Sequence, residues 1–198
     1  MLPITAFILA GGKSARMGSD KAFLQLGGRS LLSRALDIAR AVTSDVRIVG
    51  DPEKFAAFGP IVPDIYPARG PLGGIHAALS ASTTDLNLIL GVDLPFLDLR
   101  FLQFLIAEAQ SADAVVTVPW ADGHFQPLCA VYRKAFLPMA EHALDQGRNK
   151  LDALFSEVPA RVISEKELSA AGFDFAIFRN LNTPEEWEQA KQQVADRP

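Results

Sequence analysis

The amino-acid sequence predicts one α/β domain over residues 1–198, built on a doubly wound, mostly parallel sheet with helices on both faces. Two observations favour this fold class. Segments with the apolar pattern of strands alternate with segments of helical periodicity. The strand-like segments are continuous apolar runs, such as ITAFILA at 4–10, which is typical of strands buried on both faces. A chain of 198 residues buries roughly 70% of its unfolded surface, so a substantial core is available.

The first half of the chain follows this alternation regularly. The run at 4–10 stops at Gly11 and Gly12, which predicts a buried first strand that ends in a glycine turn. Ser30 precedes a helical repeat of leucine and alanine and is a suitable N-cap. The elements predicted in this half are strands at 4–10, 46–49, 61–63 and 86–90, and helices at about 31–42, 53–58 and 75–81.

The second half is less regular, but two of its helix starts are well marked. Asp98 can cap a helix whose apolar residues share one face. Thr183 is followed by Pro184 at the first helical position and by Glu186 three residues after the cap, which predicts a capping box for the last helix. The other elements predicted here are strands at 114–118, 125–132 and 161–164, and helices at about 134–146 and 151–157.

Composition and charge argue against several classes of protein. The chain has 19 Lys and Arg against 23 Asp and Glu, a net charge of −4, and no basic run that could form a footprint on nucleic acid. Its single cysteine, Cys129, excludes an intramolecular disulfide and indicates a reducing compartment. The apolar run at 6–10 is too short for a signal peptide or a membrane span. We therefore expect a cytoplasmic protein that binds neither nucleic acid nor membrane.

The segment Leu9–Lys21, LAGGKSARMGSDK, places glycines and the cations Arg16 and Lys21 directly after the first strand. Open α/β sheets bind their ligands at the carboxyl ends of strands. Glycines let backbone N–H groups approach phosphate oxygens closely, while Arg16 and Lys21 can neutralise a triphosphate. The segment therefore predicts a nucleoside triphosphate site.

Two other phosphate-binding patterns do not fit this segment. The letters GKS at 12–14 resemble the end of a P-loop, but that pattern needs a glycine where Phe7 stands. Gly11 and Gly12 are adjacent, and no G-x-G-x-x-G of a dinucleotide site occurs. Neither a P-loop ATPase nor a dehydrogenase is favoured.

Asp93 follows a fully apolar strand within the sequence GVDLP at 91–95. Its carboxylate should emerge at the same sheet edge as the glycine-rich segment. Magnesium takes hard oxygen ligands and commonly uses one or two carboxylates together with substrate phosphates. Asp before Leu-Pro also forms turns, but beside the first motif we interpret Asp93 as a Mg²⁺ ligand.

These motifs resemble those of the molybdenum cofactor guanylyltransferases, and the resemblance covers nearly the whole chain. It extends to RGPLGG at 69–74, QPLCAVY at 126–132 and NLNTPEE at 180–186. The last of these is similar to this narrower family, whereas the motifs at 9–21 and 91–95 resemble many sugar and alditol nucleotidyltransferases. Members of the family join GMP from GTP to the terminal phosphate of molybdopterin and release pyrophosphate. The resemblance implies a Rossmann-like sheet of the nucleotide-diphospho-sugar transferase type.

The resemblance also implies ligands and residue roles. Mg²⁺ would be the cofactor, held by Asp93, and the partners would be GTP, molybdopterin and, transiently, other proteins of molybdenum cofactor biosynthesis. Arg16, Lys21 and Asp93 would act in catalysis. Some relatives carry an asparagine at the position of Val49 or Gly50, so only the backbone of this chain could bind nucleotide there. The residues implied to bind the ligands are Leu9, Ala10 and Gly11 through the backbone, Lys21, Val49, Asp64, Gly70 in a tight loop formed by 70–74, Asp93, Asn180 and Asn182.

Several alternatives remain open at this stage. A related transferase could use CTP or a sugar 1-phosphate, because the base is read largely by backbone and small side chains. A non-catalytic nucleotide-binding protein is disfavoured, because both cations and Asp93 are present. Asn180 and Asn182 also suit a turn before a helix, and residues 70–74 could instead form a simple helix-entry turn. His76, His124 and His142 have no metal-ligand spacing, and we interpret them as packing or surface residues. Cys129 lies in an apolar strand, and we interpret it as a core residue.

Overall fold

The structure is a computed structural model that describes residues 2–11, 20–181 and 183–195. Its strands are β1 Ile4–Leu9, β2 Gln25–Leu26, β3 Arg29–Ser30, β4 Val46–Val49, β5 Ile61–Val62, β6 Leu86–Gly91, β7 Val116–Ala121, β8 His124–Phe125, β9 Cys129–Arg133 and β10 Ala160–Ile163. Its helices are α1 Leu31–Arg40, α2 Pro52–Phe55, α3 Gly70–Ala81, α4 Leu99–Ser111, α5 Leu137–Asp145, α6 Leu151–Phe155, α7 Glu165–Ala170 and α8 Pro184–Ala195. Short 3-10 helices occupy Lys21–Phe23, Lys134–Phe136 and Phe175–Phe178.

The main sheet has the strand order β10-β7-β9-β6-β1-β4-β5, and β8 pairs with β7 outside this row. All pairs along the row are parallel except those of β9, which runs antiparallel to both β6 and β7. From β1 the chain builds outward through β4 and β5, and then returns to β6 on the other side of β1. This confirms the predicted doubly wound, mostly parallel sheet. It also places the topological switch point, where open α/β sheets bind ligands, between β1 and β6.

Two hydrophobic layers cover the sheet, one on each face. Side chains of β1 alternate between them, because successive residues of a strand point to opposite faces: Ala6 and Ile8 lie in one layer, Phe7 and Leu9 in the other. Helices α1, α4 and α8 complete the first layer, and α3, α5 and α6 complete the second. The strong apolar runs of the sequence are therefore explained by burial on both faces.

The predicted helix starts are confirmed where a polar side chain marks them. Ser30 Oγ accepts the N–H of Ser33 at 3.1 Å, and Asp98 Oδ1 accepts that of Arg100 at 2.7 Å. The capping box of α8 is also present. Thr183 N–H donates to Glu186 Oε2 at 3.0 Å, and Glu186 N–H donates to Thr183 Oγ1 at 3.2 Å.

The tight loop predicted for residues 70–74 is wrong, because α3 begins at Gly70 rather than at Ile75. Gly70 enters the helix with φ 64°, and the fixed φ of the next residue, proline, suits the first helical turn. The two later glycines serve close packing. A Cβ at Gly73 would lie 2.7 Å from Tyr66 O, and one at Gly74 would lie 2.9 Å from Leu9 Cδ2. Gly73 therefore lets the helix approach the segment that contains Tyr66, and Gly74 lets it approach Leu9 of β1.

Other element boundaries also differ from the sequence predictions. The strand predicted over 125–132 is divided into β8 and β9, because Pro127 has no N–H to donate to a ladder. The helix predicted over 134–146 opens as a 3-10 turn, and α2 ends at Phe55. Sequence reasoning missed the β2–β3 hairpin, α7 and the 3-10 helix at Phe175–Phe178. The hairpin had a signal, since Gly27 and Gly28 form its turn with φ 59° and 76°.

Candidate functional site at the carboxyl edge of the sheet

The backbone at the end of β1 is fixed by both neighbouring strands. Ala10 N–H donates to Val49 O at 3.0 Å, and Val92 N–H donates to Leu9 O at 3.2 Å. Gly11 follows, exposed, and its N–H has no hydrogen-bond partner in the described part of the chain. Leu9, Ala10 and Gly11 therefore lie together at the switch point, with the first two locked by the sheet and the third open to a ligand.

Lys21 and Asp93 meet at this edge. Lys21 Nζ lies 3.5 Å from Asp93 Oδ2, and their side chains are only 18% and 20% exposed. A largely buried ion pair of this kind interacts more strongly than a surface pair, because less solvent screens it. The structure thus brings together the two described side chains for which the sequence predicts catalytic roles.

A glycine shapes the position of Asp93. A Cβ at Gly91, the last residue of β6, would lie 2.8 Å from Asp93 Oδ1 and 3.2 Å from Leu128 Cβ. Only a residue without a side chain lets the carboxylate fold back over the end of its own strand. Asp93 therefore owes its place to the strand end and to this glycine.

Lys21 is placed by the short 3-10 helix that it opens. Asp20 caps this helix, since its Oδ1 accepts the N–H of Ala22 at 3.2 Å, and its Oδ2 lies 3.1 Å from Lys54 Nζ. Two residues after Lys21, the ring of Phe23 packs against that of Phe55 in α2, with centroids 5.6 Å apart. The cation therefore stands on an anchored turn.

Asp64 lies two residues after β5, in front of α3. Its Oδ1 accepts the N–H of Tyr66 at 2.9 Å. Partial burial raises the pKa of Asp64, and the hydrogen bond from Tyr66 and the field of His76 act in the opposite direction. Because a Cβ at Gly73 would lie 3.3 Å from this Oδ1, glycine there keeps room beside the carboxylate.

Val49 and Gly50 lie at the end of β4, next to the end of β1. Val49 is buried, and its carbonyl accepts the hydrogen bond from Ala10. Gly50 N–H donates to Val62 O at 3.1 Å, and a Cβ at Gly50 would lie 2.9 Å from the Phe55 ring. Any contact of this position with a ligand must therefore use its backbone, as the sequence predicts.

The segment containing Asn180 reaches the same region from the other end of the chain. Asn180 is half-buried between the 3-10 helix Phe175–Phe178 and α8. The guanidinium of its neighbour Arg179 lies over the ring of Phe96, with Cζ 5.3 Å from the ring centroid. Phe96 is three residues past Asp93, so the fold brings the 179–181 segment beside the Asp93 loop. Arg16 and Asn182, two further predicted site residues, lie outside the described residues.

The interpretation of the histidines as packing or surface residues is confirmed. His76 is 4% exposed and stands edge-on to Tyr66, with ring centroids 4.9 Å apart. Burial lowers the pKa of His76. His124 and His142 are exposed. Cys129 is buried, as expected of a core residue, and burial raises the pKa of its thiol.

Metal clusters and membrane-spanning helices are both absent from the described residues. Residues 2–11, 20–181 and 183–195 contain no cluster of three or more His, Cys, Asp and Glu that could bind a metal by itself. Asp93 could thus contribute one carboxylate to a metal that is also bound by substrate oxygens. Within the same ranges, no helix is long and apolar enough to cross a membrane.

Sequence reasoning overlooked Arg179. Its Nε and Nη2 are buried without a hydrogen-bond partner among the described residues. The sequence carried only one signal for this, an arginine directly before the NLNTPEE motif, and nothing there shows which side chain it would pack against.

Comparisons with known proteins show the family to which the chain belongs. Residues 6–162 match the model of the MobA-like NTP transferase domain. The chain is 36% identical over 194 residues to the molybdenum cofactor guanylyltransferase of Desulfosudis oleivorans, covering 96% of each chain. It is 34% identical to a probable molybdenum cofactor guanylyltransferase of Pelotomaculum thermopropionicum, covering 96% of this chain and 93% of that relative.

The fold is also similar to that of a solved structure. The crystal structure of molybdopterin-guanine dinucleotide biosynthesis protein A from Archaeoglobus fulgidus superposes with a TM-score of 0.84 at 24% identity, covering 96% of this chain and 98% of that one. The family model and the two relatives confirm the resemblance found in the sequence motifs. This chain therefore belongs to the molybdenum cofactor guanylyltransferases and is a nucleotidyltransferase of the MobA-like type.

Proposed function

We propose that this chain transfers GMP from GTP to the terminal phosphate of molybdopterin, releasing pyrophosphate and forming the guanine dinucleotide of the cofactor. The observation that carries the proposal is the Lys21–Asp93 pair at the switch point of the sheet, in a chain whose relatives are named for this activity. We further propose that it acts in the cytoplasm, with transient contact with other proteins of molybdenum cofactor biosynthesis.

In the proposed reaction an oxygen of the acceptor phosphate attacks the α-phosphorus of GTP in line. The new bond joins this oxygen to the α-phosphorus, and the bond from the α-phosphorus to the bridging oxygen of the β-phosphate breaks. The acceptor phosphate is already ionised near pH 7, so no general base is needed. The protein must mainly position the two reactants and neutralise charge.

Lys21 supplies positive charge to the phosphates in this scheme, and Arg16 is proposed to do the same. Asp93 fits Mg²⁺, because it offers a hard carboxylate oxygen, half-buried at the edge where phosphates are proposed to bind. When bound there, Mg²⁺ would withdraw negative charge from the reacting phosphate oxygens. Lys21 holds the Asp93 carboxylate through Oδ2, which orients it toward this role.

The nucleotide is proposed to lie along the ends of β1 and β4. Leu9, Ala10 and Gly11 would contact it through the backbone, supported by the open N–H of Gly11. The remaining proposed contacts follow the family pattern: Val49 through its backbone, Asp64 with the nucleoside, and Gly70 at the start of α3. Asn180 and Asn182 are proposed to face the acceptor.

Nucleotide choice is tested by calorimetric titration with GTP, CTP, ATP and UTP in the presence of Mg²⁺. We expect GTP to bind most tightly, and binding to weaken in Asp93→Ala. The matched control is Asp113→Ala, which removes an exposed carboxylate before β7 and should bind GTP like the wild type. Preference for CTP would instead assign the chain to the cytidylyltransferases.

Turnover is tested by pyrophosphate release from GTP with molybdopterin as acceptor. We expect release to require both substrates and to stop when EDTA removes Mg²⁺, with recovery on adding Mg²⁺ back. Release that continues unchanged in EDTA would contradict the proposed metal. Binding of GTP without any release in the presence of molybdopterin would contradict the proposed reaction while leaving the nucleotide site intact.

A further inference from the structure

Arg179 has a guanidinium that the rest of the described chain does not use. Its Nε and Nη2 are both buried, and neither has a hydrogen-bond partner among the described residues. Its position is instead given by stacking, because Cζ lies 5.3 Å from the centroid of the Phe96 ring. The side chain is thus held in place while its donors stay unpaired.

Other partly buried arginines of this protein are paired. Arg47 donates through Nε to Asp45 at 2.9 Å, and Arg161 donates through Nη2 to Glu108 at 2.7 Å. Burying guanidinium donors without an acceptor costs free energy, since the water they lose is not replaced. The unpaired donors of Arg179 therefore call for an acceptor that comes from outside the described residues.

The surroundings of Arg179 indicate which acceptor this is. Phe96 follows Asp93 by three residues, and Asn180 follows Arg179 directly. The preceding residue, Phe178, is anchored edge-on to Phe101 in α4 with ring centroids 5.0 Å apart. Arg179 is therefore fixed beside the loop that carries Asp93, on a rigid support.

We propose that Arg179 binds the phosphate of the acceptor and positions it for attack, an inference that rests on the proposed function. A planar guanidinium presents two parallel N–H groups to two phosphate oxygens, which orients the anion as well as attracting it. In the proposed reaction Lys21, which pairs with Asp93, offsets the charge of the leaving pyrophosphate. The attacking phosphate must approach from the side opposite the leaving pyrophosphate, so it needs a cation of its own.

Steady-state kinetics with molybdopterin and GTP test this assignment. In Arg179→Ala we expect the KM for molybdopterin to rise about tenfold or more, as for loss of a charged hydrogen bond, while the KM for GTP changes less than about twofold. Arg179→Lys keeps the charge but loses the planar guanidinium. Its KM for molybdopterin should therefore lie between that of the wild type and that of Arg179→Ala. A purely structural role would not separate the two KM values in this way.

The matched control is Arg100→Ala. Arg100 is exposed on α4 and also stacks on a phenylalanine, with Cζ 5.9 Å from the Phe173 centroid. Its loss should leave both KM values at wild-type levels. An unchanged acceptor KM in folded Arg179→Ala, or an equal rise in the KM for GTP, would overturn the proposal.

A second measurement decides the matter if Arg179→Ala does not fold or if the wild type does not use molybdopterin. The Nε–H signals of arginine are recorded by ¹⁵N NMR, and that of Arg179 is assigned by its loss in Arg179→Lys. Inorganic phosphate should shift this signal, whereas chloride at equal ionic strength should not. If phosphate does not change the chemical shift of this signal, or if only GTP with Mg²⁺ changes it, Arg179 does not bind the acceptor phosphate. If the wild type shows no turnover of GTP with molybdopterin but phosphate still shifts the Arg179 signal, only the proposed function is refuted.

Discussion

The two ends of the candidate site are built differently. At the β1 end, backbone hydrogen bonds of the sheet fix the chain, such as that from Ala10 N–H to Val49 O at 3.0 Å. At the other end, Arg179 lies on a connecting segment and is placed by its contact with Phe96. The edge of a sheet presents the same backbone groups whatever its side chains are. The position of Arg179, in contrast, depends on the identity of the side chains at 179 and 96. We therefore expect substitutions at the two ends to affect different substrates.

The largest effect is expected at the Lys21–Asp93 pair at the carboxyl edge of the sheet. Lys21→Ala or Asp93→Ala should lower kcat by about a hundredfold or more, because each removes a group that stabilises charge in the transition state. Folding should be preserved, since both side chains lie at the edge of the sheet rather than in its core. Pyrophosphate release and circular dichroism provide the two readouts.

Lys191→Ala is the control for the lysine, because Lys191 is exposed on α8 and pairs with Glu188 three residues before it. It should retain wild-type turnover. Wild-type turnover in Lys21→Ala or Asp93→Ala as well would show that the pair is structural and that catalysis occurs elsewhere.

Gly91→Ala should give the next largest effect. The added Cβ would lie 2.8 Å from Asp93 Oδ1, and the carboxylate is the part that can move away. Displacing a reacting group by about 1 Å costs turnover steeply, so we expect a loss of roughly tenfold in kcat, measured by pyrophosphate release. In an Asp93→Ala background the same substitution should have no further effect, because its target is gone. An additive loss in the double variant would mean that Gly91→Ala acts through packing against Leu128 instead.

This glycine shows what the sequence could and could not predict. The sheet was predictable, because apolar runs buried on both faces leave a strong pattern that local sequence carries by itself. The meeting of Lys21 and Asp93 was also predictable, because both follow strands whose carboxyl ends share one edge. That Gly91 must be a glycine depends on how the Asp93 carboxylate folds back, which is a tertiary contact.

The mistaken loop at 70–74 has the same origin. Its glycines predicted a turn, because glycine adopts backbone conformations that turns need and other residues disfavour. In the structure Gly73 and Gly74 are helical and serve the close approach of α3 to Tyr66 and Leu9. Arg179 was missed for a related reason, because stacking on Phe96 joins residues far apart in the chain. Side-chain contacts across the fold leave no periodic signal in either segment.

Phe96→Leu should sharpen the comparison by loosening Arg179 without removing it. The guanidinium would lose its stacking partner, and a cation–π contact contributes about 0.5–1 kcal/mol at exposed sites and about 2 kcal/mol where it is desolvated. Because Arg179 is partly buried, we expect the KM for molybdopterin to rise about two- to tenfold and the KM for GTP to remain unchanged. A rise in the KM for GTP instead would indicate that the Asp93 loop itself had moved, and would weaken the separation of the two ends.

The smallest effect is expected at Glu167, which caps α7 well before the Arg179 segment. Hydrogen bonds from Arg161 and then from Ser164 lower the pKa of Glu167 from 4.5 to about 2. The folded state therefore favours the ionised form, and this contribution to stability is present above about pH 4.5 and is lost as the pH falls toward 2. Because its side chain is 42% exposed, solvent screens the pair, and Glu167→Gln should cost only roughly 0.5–1 kcal/mol at pH 7.

Chemical unfolding of the wild type and Glu167→Gln across this pH range measures the effect. The difference between them should shrink as the pH falls. Kinetics on the same variant then test the comparison, because Glu167 supports the helix that leads into the 3-10 turn before Arg179. Unchanged KM values at pH 7 would show that the anchoring of Phe178 against Phe101 is sufficient to hold the acceptor end. A rise in the KM for molybdopterin without a rise in the KM for GTP would show that α7 also helps to position Arg179.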